Sequence, residues 1–409
     1  MRRETTNTEV VREDTGPILR RINAFNGFAL PSAGIGIIGL LVGVMADTHA
    51  FFTSYLFAYA FWMSLTIGFM TLTYLHHATR ASWSLSILRV IEAGNRTWAV
   101  MAIAWVPIAL GVALHKVYQW TNLDLVHHSA MLQHKQIYLN PTAWLVRGVI
   151  YFTFWAYTMT QLNKSSLLQD KTLDERLGLQ RASFGAAFGV IHVLVMTLAV
   201  TDLFMSLDPV YYSTIYAVIY MMSGVLAATA VGAIFITGFN RFYPFSTIIT
   251  PALTRNIGNM LLGFTMFWAY TSLSQFLIQW SANLPEEISF YAQRFIPPFV
   301  YIGAAIVIGQ FFFPFLALLS GRTIRTYQIL RNVATVIIVM RIVDAWWQIT
   351  PFFRRGFTSA DLPALALDAA AWAAIGGVWI ATFVYHLKHN PLLAVHDPRL
   401  IEAKANSHA

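Results

Sequence analysis

Charged side chains occur inside strongly apolar segments of this sequence. Asp202 and Asp344 each lie near the end of such a segment, and Arg341 precedes Asp344 by three residues. A charge at the centre of a bilayer costs on the order of 2.5–3.5 kcal/mol on insertion scales, so such residues normally have a partner or a function. We expect Arg341 and Asp344 to pair on one helical face, and Asp202 to pair with Arg147 on a neighbouring helix. Either pair is a structural salt bridge or part of a proton path.

A row of polar side chains follows one face of the apolar stretch FTMFWAYTSLSQFLIQWSANLPEE, residues 264–287. At 100° per residue, these side chains fall within about an 80° arc of a helix. They are Thr265, Trp268, Ser272, Gln275, Gln279 and Asn283, and Glu286 and Glu287 follow them. Such a row either forms hydrogen bonds between helices or lines a hydrated path that leads to the glutamates.

Histidine is well suited to relay protons, because its unperturbed pKa is about 6.5. His192 lies near the middle of an apolar segment, where it is either a relay or a hydrogen-bonded structural residue. A b-type haem would need a second histidine at the same depth on another helix, and His192 has none. His76, His77 and His386 share one boundary of the apolar segments, where we expect them to reach toward the interface.

Three further histidines lie in a polar connecting segment, namely His127, His128 and His134. Their spacing matches no compact metal-ligand pattern, so we expect a surface loop there and no metal site. The chain contains no cysteine. This excludes structural disulfides, cysteine-ligated iron–sulfur clusters and covalently attached c-type haem on this chain.

The composition predicts that membrane helices carry these side chains. Of 409 residues, 57% are hydrophobic and 11% are charged, with a mean hydropathy of +0.56, whereas soluble domains carry about a quarter charged residues. Segments of about 20 apolar residues can span a bilayer. This rule predicts an all-α membrane protein of about ten transmembrane helices, at residues 25–46, 51–78, 97–115, 141–163, 183–206, 211–239, 257–281, 295–320, 331–350 and 364–387.

Positive charges are distributed unequally between the connecting segments. Twenty Lys and Arg residues fall on one side and six on the other, with Arg341 inside a span. The positive-inside rule predicts that the first side is cytoplasmic. Residues 1–22 and 388–409 are then cytoplasmic tails of a membrane domain at residues 23–387. Residues 80–96 are expected to form an amphipathic helix at the cytoplasmic interface.

One pattern occurs twice. DLFMSLDPVYY (202–212) and DAWWQITPFF (344–353) both contain Asp, six residues, Pro and then an aromatic pair. Arg147 and Arg294 lie near the starts of the partner helices, so each copy would contain one Asp and one Arg. The pattern predicts two related four-helix bundles, with helices 1 and 10 at the periphery. The bundles are helices 2–5 (residues 51–206) and helices 6–9 (residues 211–350).

Together these strings resemble a known family. The stretch 264–287, with SLDPVYYSTIY (206–216), YLNPTAWLVRGVIYF (138–152) and DAWW (344–347), is similar to the ActF family. ActF proteins are the second NrfD-like membrane subunit of bacterial alternative complex III. The resemblance runs from the first predicted span to the tenth. It implies an NrfD-like fold in the bacterial inner (cytoplasmic) membrane.

The resemblance also implies a role in respiration. Alternative complex III oxidises membrane quinol and passes electrons to cytochrome c or to a terminal oxidase. Its haem c and iron–sulfur clusters are on other subunits, so this chain would carry no redox centre, although quinol or quinone could bind to it. The implied role is structural, with proton conduction as an additional role. The implied partners are ActA, ActB, ActC, ActD and ActE, membrane lipids and a terminal oxidase, with no nucleic acid. The residues that match the family pattern are Arg147, Asp202, Ser272, Gln275, Glu286, Glu287 and Asp344.

Residue type and depth indicate two candidate proton paths. The first contains His76, His77, Glu92, Tyr157, His192 and Asp202, and the second contains Arg341, Asp344, Ser272, Gln275, Gln279 and Glu286. No catalytic residue and no metal ligand is predicted. Three alternatives stay open. The chain itself could oxidise quinol in the manner of PsrC-type anchors, with Arg147 and Asp202 binding the quinone. It could also be a secondary transporter built from parallel repeats, or a purely structural scaffold.

Overall fold

The structure is a computed structural model, and it describes residues 15–172, 174–247, 249–284, 288–356, 361–394 and 397. We number its α-helices in chain order. They are α1 Gly16–Ala24, α2 Asn26–Ala46, α3 Thr48–Thr79, α4 Leu88–Asn95, α5 Trp98–Ala113, α6 Leu123–His128, α7 Ala130–Lys135, α8 Pro141–Thr172, α9 Arg176–Leu203, α10 Tyr216–Phe239, α11 Pro251–Ala282, α12 Ser289–Ala292, α13 Phe299–Ile306, α14 Phe313–Leu319, α15 Gly321–Arg325, α16 Tyr327–Ile349 and α17 Leu362–His389. A π-helical turn, Val307–Phe312, joins α13 to α14.

Eight helical stretches among the described residues are long and apolar enough to cross a membrane. They are Gly16–Ala46, Thr48–Thr79, Leu85–Ala113, Arg176–Leu207, Tyr216–Phe239, Pro251–Ala282, Phe299–Leu319 and Leu362–His389. The chain is therefore an all-α, multi-pass membrane protein, as its composition predicts. Helices also cover the two remaining predicted segments. These are α8 and α16, whose polar and charged residues lower their apolar content.

The long helices pack in two groups of four. Helices α3, α5, α8 and α9 contact one another in a ring and form the first group. Helices α10, α11 and α16, with the broken helix α13–α14, form the second group. The first group contacts the second mainly through α3 and α10, while α2 and α17 pack against each other and against α3. We call the two ends of the molecule the Asp202 side and the Arg89 side, after residues located there.

Glycines allow the two groups to touch backbone to backbone. Gly68 of α3 faces Gly224 of α10, and a Cβ added to Gly68 would lie 2.0 Å from the carbonyl oxygen of Gly224. Small residues at helix contacts are the usual way in which membrane helices approach closely. The hydroxyl of Tyr220 also donates to the carbonyl of Ala60 across this contact at 2.5 Å. The central helix α3 is therefore buried along nearly its whole length.

The prediction that residues 80–96 form a helix exposed at the membrane interface is wrong. Helix α4 lies in this segment, but all of its side chains are buried. It packs against α3, α10 and α17. Arg89 and Glu92 of α4 pair with each other, which allows both charges to be buried.

Replacement of Gly68 by Ala tests the close contact. The added Cβ has no room beside the carbonyl of Gly224, and overpacking of this kind costs about 1–3 kcal/mol. We expect Gly68→Ala to lower the melting temperature of the detergent-purified protein, measured by size-exclusion chromatography after heating. Gly238→Ala in α10 is the control, because a Cβ there has no heavy atom within 4 Å. Equal melting temperatures for the two variants would contradict the close packing.

Candidate functional site: two rows of buried polar side chains

The Asp202 carboxylate is held at the end of the first group by three donors. Arg147 donates to both carboxylate oxygens, with Nε–Oδ2 at 2.8 Å and Nη2–Oδ1 at 2.9 Å. The Tyr151 hydroxyl donates to Oδ2 at 2.8 Å. The predicted partner of Asp202 is thus confirmed. Two of the three hydrogen bonds come from one bidentate guanidinium and the third from a hydroxyl, so the orientation of this carboxylate is fixed.

Aromatic residues enclose this ion pair. The Arg147 guanidinium lies 3.9 Å from the Tyr138 ring centroid and also donates to the Tyr138 carbonyl at 3.0 Å. Tyr138 precedes helix α8, and burial, followed by the charge of Asp202, raises its pKa to about 12. A narrow cavity with about 250 Å³ of empty space, including its mouth, adjoins Asp202. Its lining is mostly aromatic and includes Trp105, Trp144, Tyr151, Phe152 and Trp155.

His192 is buried in the middle of the first group with both ring nitrogens occupied. The Trp155 indole donates to Nδ1 at 3.1 Å, and an indole nitrogen only donates. The ring proton of the neutral imidazole is therefore on Nε2, which donates to the Thr71 hydroxyl at 3.0 Å. Thr71 in turn donates to the carbonyl of Ile67 at 2.9 Å. Protonation of Nδ1 thus requires that Trp155 first moves away.

A second charged cluster occupies the Arg89 side of the first group. Arg89 pairs with the carboxylates of Glu92 and Asp170 and donates to the Ser166 hydroxyl at 3.1 Å. One turn further into the group, the side-chain amides of Asn95 and Asn163 donate to each other at 3.3 and 2.6 Å. Glu92 was predicted at this position, whereas Asp170 and the two asparagines were missed.

These residues form one row along α8, which we call the α8 row. It consists of Arg147, Tyr151, Trp155, Thr158, Asn163, Ser166 and Asp170. From Arg147 to Asp170 the row extends over about 35 Å at 1.5 Å per residue, which is close to the thickness of a bilayer core. It is polar at both ends. In its middle, Trp155 and His192 separate the two polar ends.

Three residues predicted for the first proton path have surroundings that differ from the expected ones. Tyr157 points to the outer surface of the group with 51% of its area exposed and packs near Phe184 and Phe188. It does not face the interior, because it lies 100° around the helix from Thr158, which does. His76 and His77 are buried and do not reach the interface as expected. His76 Nδ1 is bonded instead to the Ser84 hydroxyl at 2.6 Å.

The polar stripe of α11 faces the interior of the second group. Thr265, Trp268, Gln275 and Gln279 are buried, whereas Asn283 is exposed. Gln275 accepts from Ser213 at 2.8 Å. Among the described residues, four other polar atoms of the stripe have no hydrogen-bond partner: Thr265 Oγ1, Trp268 Nε1, Ser272 Oγ and Gln279 Oε1.

Gln310 lies at similar depth in the π-helical turn. It is fully buried, and within the described part of the chain neither atom of its side-chain amide has a partner. Pro314 explains the turn, because proline has no N–H to bond the carbonyl of Gln310 and its ring collides with that carbonyl in a regular helix. Buried polar groups without protein partners are normally bonded to water. We therefore infer that this half of the second group is hydrated.

The half of the second group nearer the Arg89 side is apolar. There α11 contributes Leu253, Ile257 and Leu261, and α16 contributes Leu330, Val333, Ala334 and Ile337, all of them buried. The polar atoms without partners are thus confined to the half nearer the Asp202 side. We call this half the outer chamber.

Arg341 and Asp344 form the predicted pair within α16, and Gln348 donates to Asp344 Oδ2 at 3.0 Å. Arg294, which occupies the place of Arg147 in the repeated pattern, has different partners. Arg294 does not bind Asp344 but donates to the carbonyls of Phe290 (2.6 Å), Trp347 (3.2 Å) and Gln348. These last two carbonyls belong to the final turn of α16, so Arg294 caps that helix where Arg147 binds a carboxylate.

A further buried pair was missed. Arg354 donates to both oxygens of Asp368 at 2.8 and 2.9 Å, and Ser54 and Trp346 donate to the same carboxylate at 2.5 and 2.8 Å. This cluster joins α3, α16 and α17 at the Asp202 side. The signal in the sequence was the single Asp inside the last apolar segment.

Two further predictions concern the glutamates after the α11 stripe and the three loop histidines. Glu286 and Glu287 lie outside the described residues. Within the described ranges, no group of three or more His, Asp or Glu side chains is placed to hold a metal ion.

No protein-family model matches the sequence, and no curated protein matches it significantly.

Cysteine substitution tests the outer chamber, because the natural chain has no cysteine. We expect Ser272→Cys and Thr265→Cys to react with a small water-soluble thiol reagent added from the Asp202 side. Leu261→Cys is the control, since Leu261 is equally buried about one turn further along the same face. The readout is the labelled fraction by mass spectrometry. If Leu261→Cys is labelled as fast as Ser272→Cys, or neither of the two chamber variants reacts, the chamber is not hydrated from that side.

Proposed function

We propose that this protein is an integral membrane subunit of a quinol-oxidising respiratory complex of the alternative complex III type. Its role there is structural support and proton conduction, while haem c and iron–sulfur clusters on partner subunits carry the electrons. The Asp202 side faces the outside of the inner membrane, and both chain ends are cytoplasmic. The predicted charge asymmetry of the connecting segments supports this orientation.

The α8 row is the observation that carries the proposal. A membrane anchor needs no polar row of about 35 Å through one of its helix groups. The row begins at a buried carboxylate cluster on the Arg89 side and ends at Asp202 on the other. The contact between Trp155 and His192 interrupts it, and the buried apolar side chains of Met159 and Leu162 lie between Thr158 and Asn163.

His192 is the control point of this proposed path. As long as Trp155 donates to Nδ1, the imidazole stays neutral and passes no proton, because the donors on either side end on backbone carbonyls. Release of Trp155 frees Nδ1 to accept a proton from the Arg89 side. The path is thus closed at rest, which prevents a leak of protons across the membrane.

The test uses the complex purified through a tag on this chain. We expect haem c and iron–sulfur signals to co-purify and the preparation to oxidise quinol. In proteoliposomes, His192→Phe should lower the number of protons released outside per electron toward the yield of quinol oxidation alone. Tyr157→Phe is the control, because Tyr157 lies at similar depth but points outward.

Two results would contradict the proposal. The first is a tagged protein that purifies without any haem c or iron–sulfur signal. The second is an unchanged proton yield in His192→Phe with the complex fully assembled.

A second candidate function is quinol binding by this chain. The lining of the cavity beside Asp202 supports it, because aromatic side chains are suited to contact a quinone ring and Tyr151 and Asp202 supply hydrogen-bonding groups at one end. Quinol binding at this position is disfavoured by the three hydrogen bonds that the Asp202 carboxylate already accepts.

Asparagine replacements separate the two functions. If this chain oxidises quinol at the cavity, Asp202→Asn should reduce quinol oxidation by the complex at least about tenfold, since a buried charge-assisted hydrogen bond is worth roughly 1.5–3 kcal/mol. Asp344→Asn, an equally buried carboxylate in the second group, should not. If the primary proposal holds, electron transfer survives in both variants. The measurement is the rate of quinol-dependent cytochrome c reduction.

A further inference from the structure

A second cavity lies on the Arg89 side, between helix α4 and the end of α17. It is narrow and open at one end, with about 200 Å³ of empty space including its mouth, and is lined by Glu92, Arg96, His386 and Asn390 among others. Helix α5 begins beside this cavity, and helix α17 ends beside it. Both show apolar side chains to the surrounding membrane, such as Ile103 on α5 and Val378 on α17, which are 73% and 39% exposed.

The cavity is lined by an acidic and a basic side chain that can each form further hydrogen bonds. Glu92 is 3% exposed, and while its Oε2 pairs with Arg89, its Oε1 has no partner among the described residues. The guanidinium of Arg96 is partly exposed and forms no ion pair or hydrogen bond within the described ranges. The charge of Arg89, in contrast, is balanced by Glu92 and Asp170.

We propose that this cavity binds the head group of phosphatidylethanolamine, with its ammonium on Glu92 Oε1 and its phosphate on Arg96. A primary ammonium has three N–H donors and is about as small as a water molecule, so it fits the buried end of a narrow cavity beside a lone carboxylate oxygen. The phosphate remains at the mouth, where the guanidinium supplies planar donors. The acyl chains lie along the exposed apolar faces of α5 and α17.

The pairing of charges selects this lipid class. Phosphatidylglycerol offers the phosphate but no ammonium, so Glu92 Oε1 would stay without a donor. Phosphatidylcholine carries the positive charge but no N–H, so its quaternary ammonium cannot donate a hydrogen bond to Glu92 Oε1. A basic pocket between helices on this side of a membrane protein is a common place for lipid head groups, and the buried free carboxylate oxygen adds the selectivity. The inference is independent of the proposed function.

Lipid competition on the full-length protein tests the site. The protein is delipidated, incorporated into nanodiscs of phosphatidylcholine with added phosphatidylethanolamine or phosphatidylglycerol of the same acyl chains, and its retained lipids are quantified by native mass spectrometry. We expect phosphatidylethanolamine to be retained about tenfold over phosphatidylcholine, as a charge-assisted hydrogen bond in a partly buried site predicts. Soluble glycerophosphoethanolamine should compete poorly, because it lacks the acyl chains.

Two variants assign the roles of the side chains. Glu92→Gln should abolish the preference for phosphatidylethanolamine over phosphatidylglycerol, and Arg96→Leu should weaken retention of both. Glu175→Gln and Arg176→Leu are the controls, because both residues are exposed on the same side. Equal retention of phosphatidylethanolamine and phosphatidylcholine by the natural protein would overturn the proposal even if a variant fails to fold. An unchanged preference in folded Glu92→Gln, or full competition by glycerophosphoethanolamine, would overturn it as well.

Discussion

Several buried charges among the described residues are neutralised by ion pairs within the bundle, and the packing of the helices depends on that constraint. In a medium of low dielectric constant, an unpaired charge is far more costly than a paired one. The pairs of Asp202 with Arg147, Asp170 with Arg89, and Asp368 with Arg354 each join separate segments of the chain. Each pair therefore also sets how its helices are rotated, because both side chains must face the same interior position.

The two helix groups use polar side chains differently despite their repeated sequence pattern. In the first group the polar side chains of the α8 row are bonded to protein partners, and an aromatic contact at His192 divides them. In the second group many have no protein partner and are collected in the outer chamber, next to a helix broken at Pro314. The repeat thus preserves the position of the aspartates but not the identity of their partners. Arg294 shows this most clearly, since it binds carbonyls where Arg147 binds a carboxylate.

The order of the helices could be predicted from the sequence, because the apolar length of a segment and the free-energy cost of its charges depend on that segment alone. The grouping of the helices followed from the repeated Asp–Pro pattern. The pair of Asp202 and Arg147 and the inward face of the α11 stripe followed from depth and helical periodicity. Contacts that depend on tertiary packing could not be predicted in this way. The burial of α4, the bond from Trp155 to His192 and the outward direction of Tyr157 all depend on which neighbour covers a given helix face. A single sequence holds no record of those neighbours.

The burial of α3 has a consequence for biosynthesis. This helix leaves the ribosome long before α17, yet α17 covers part of its surface. Trp62 of α3 donates to the carbonyl of Trp372 at 3.0 Å, and Trp379 donates to Thr66 at 2.9 Å. Until α17 has been inserted, this aromatic surface of α3 is therefore without its cover. A chain truncated before α17 would thus insert its earlier helices but leave the core around α3 unfinished.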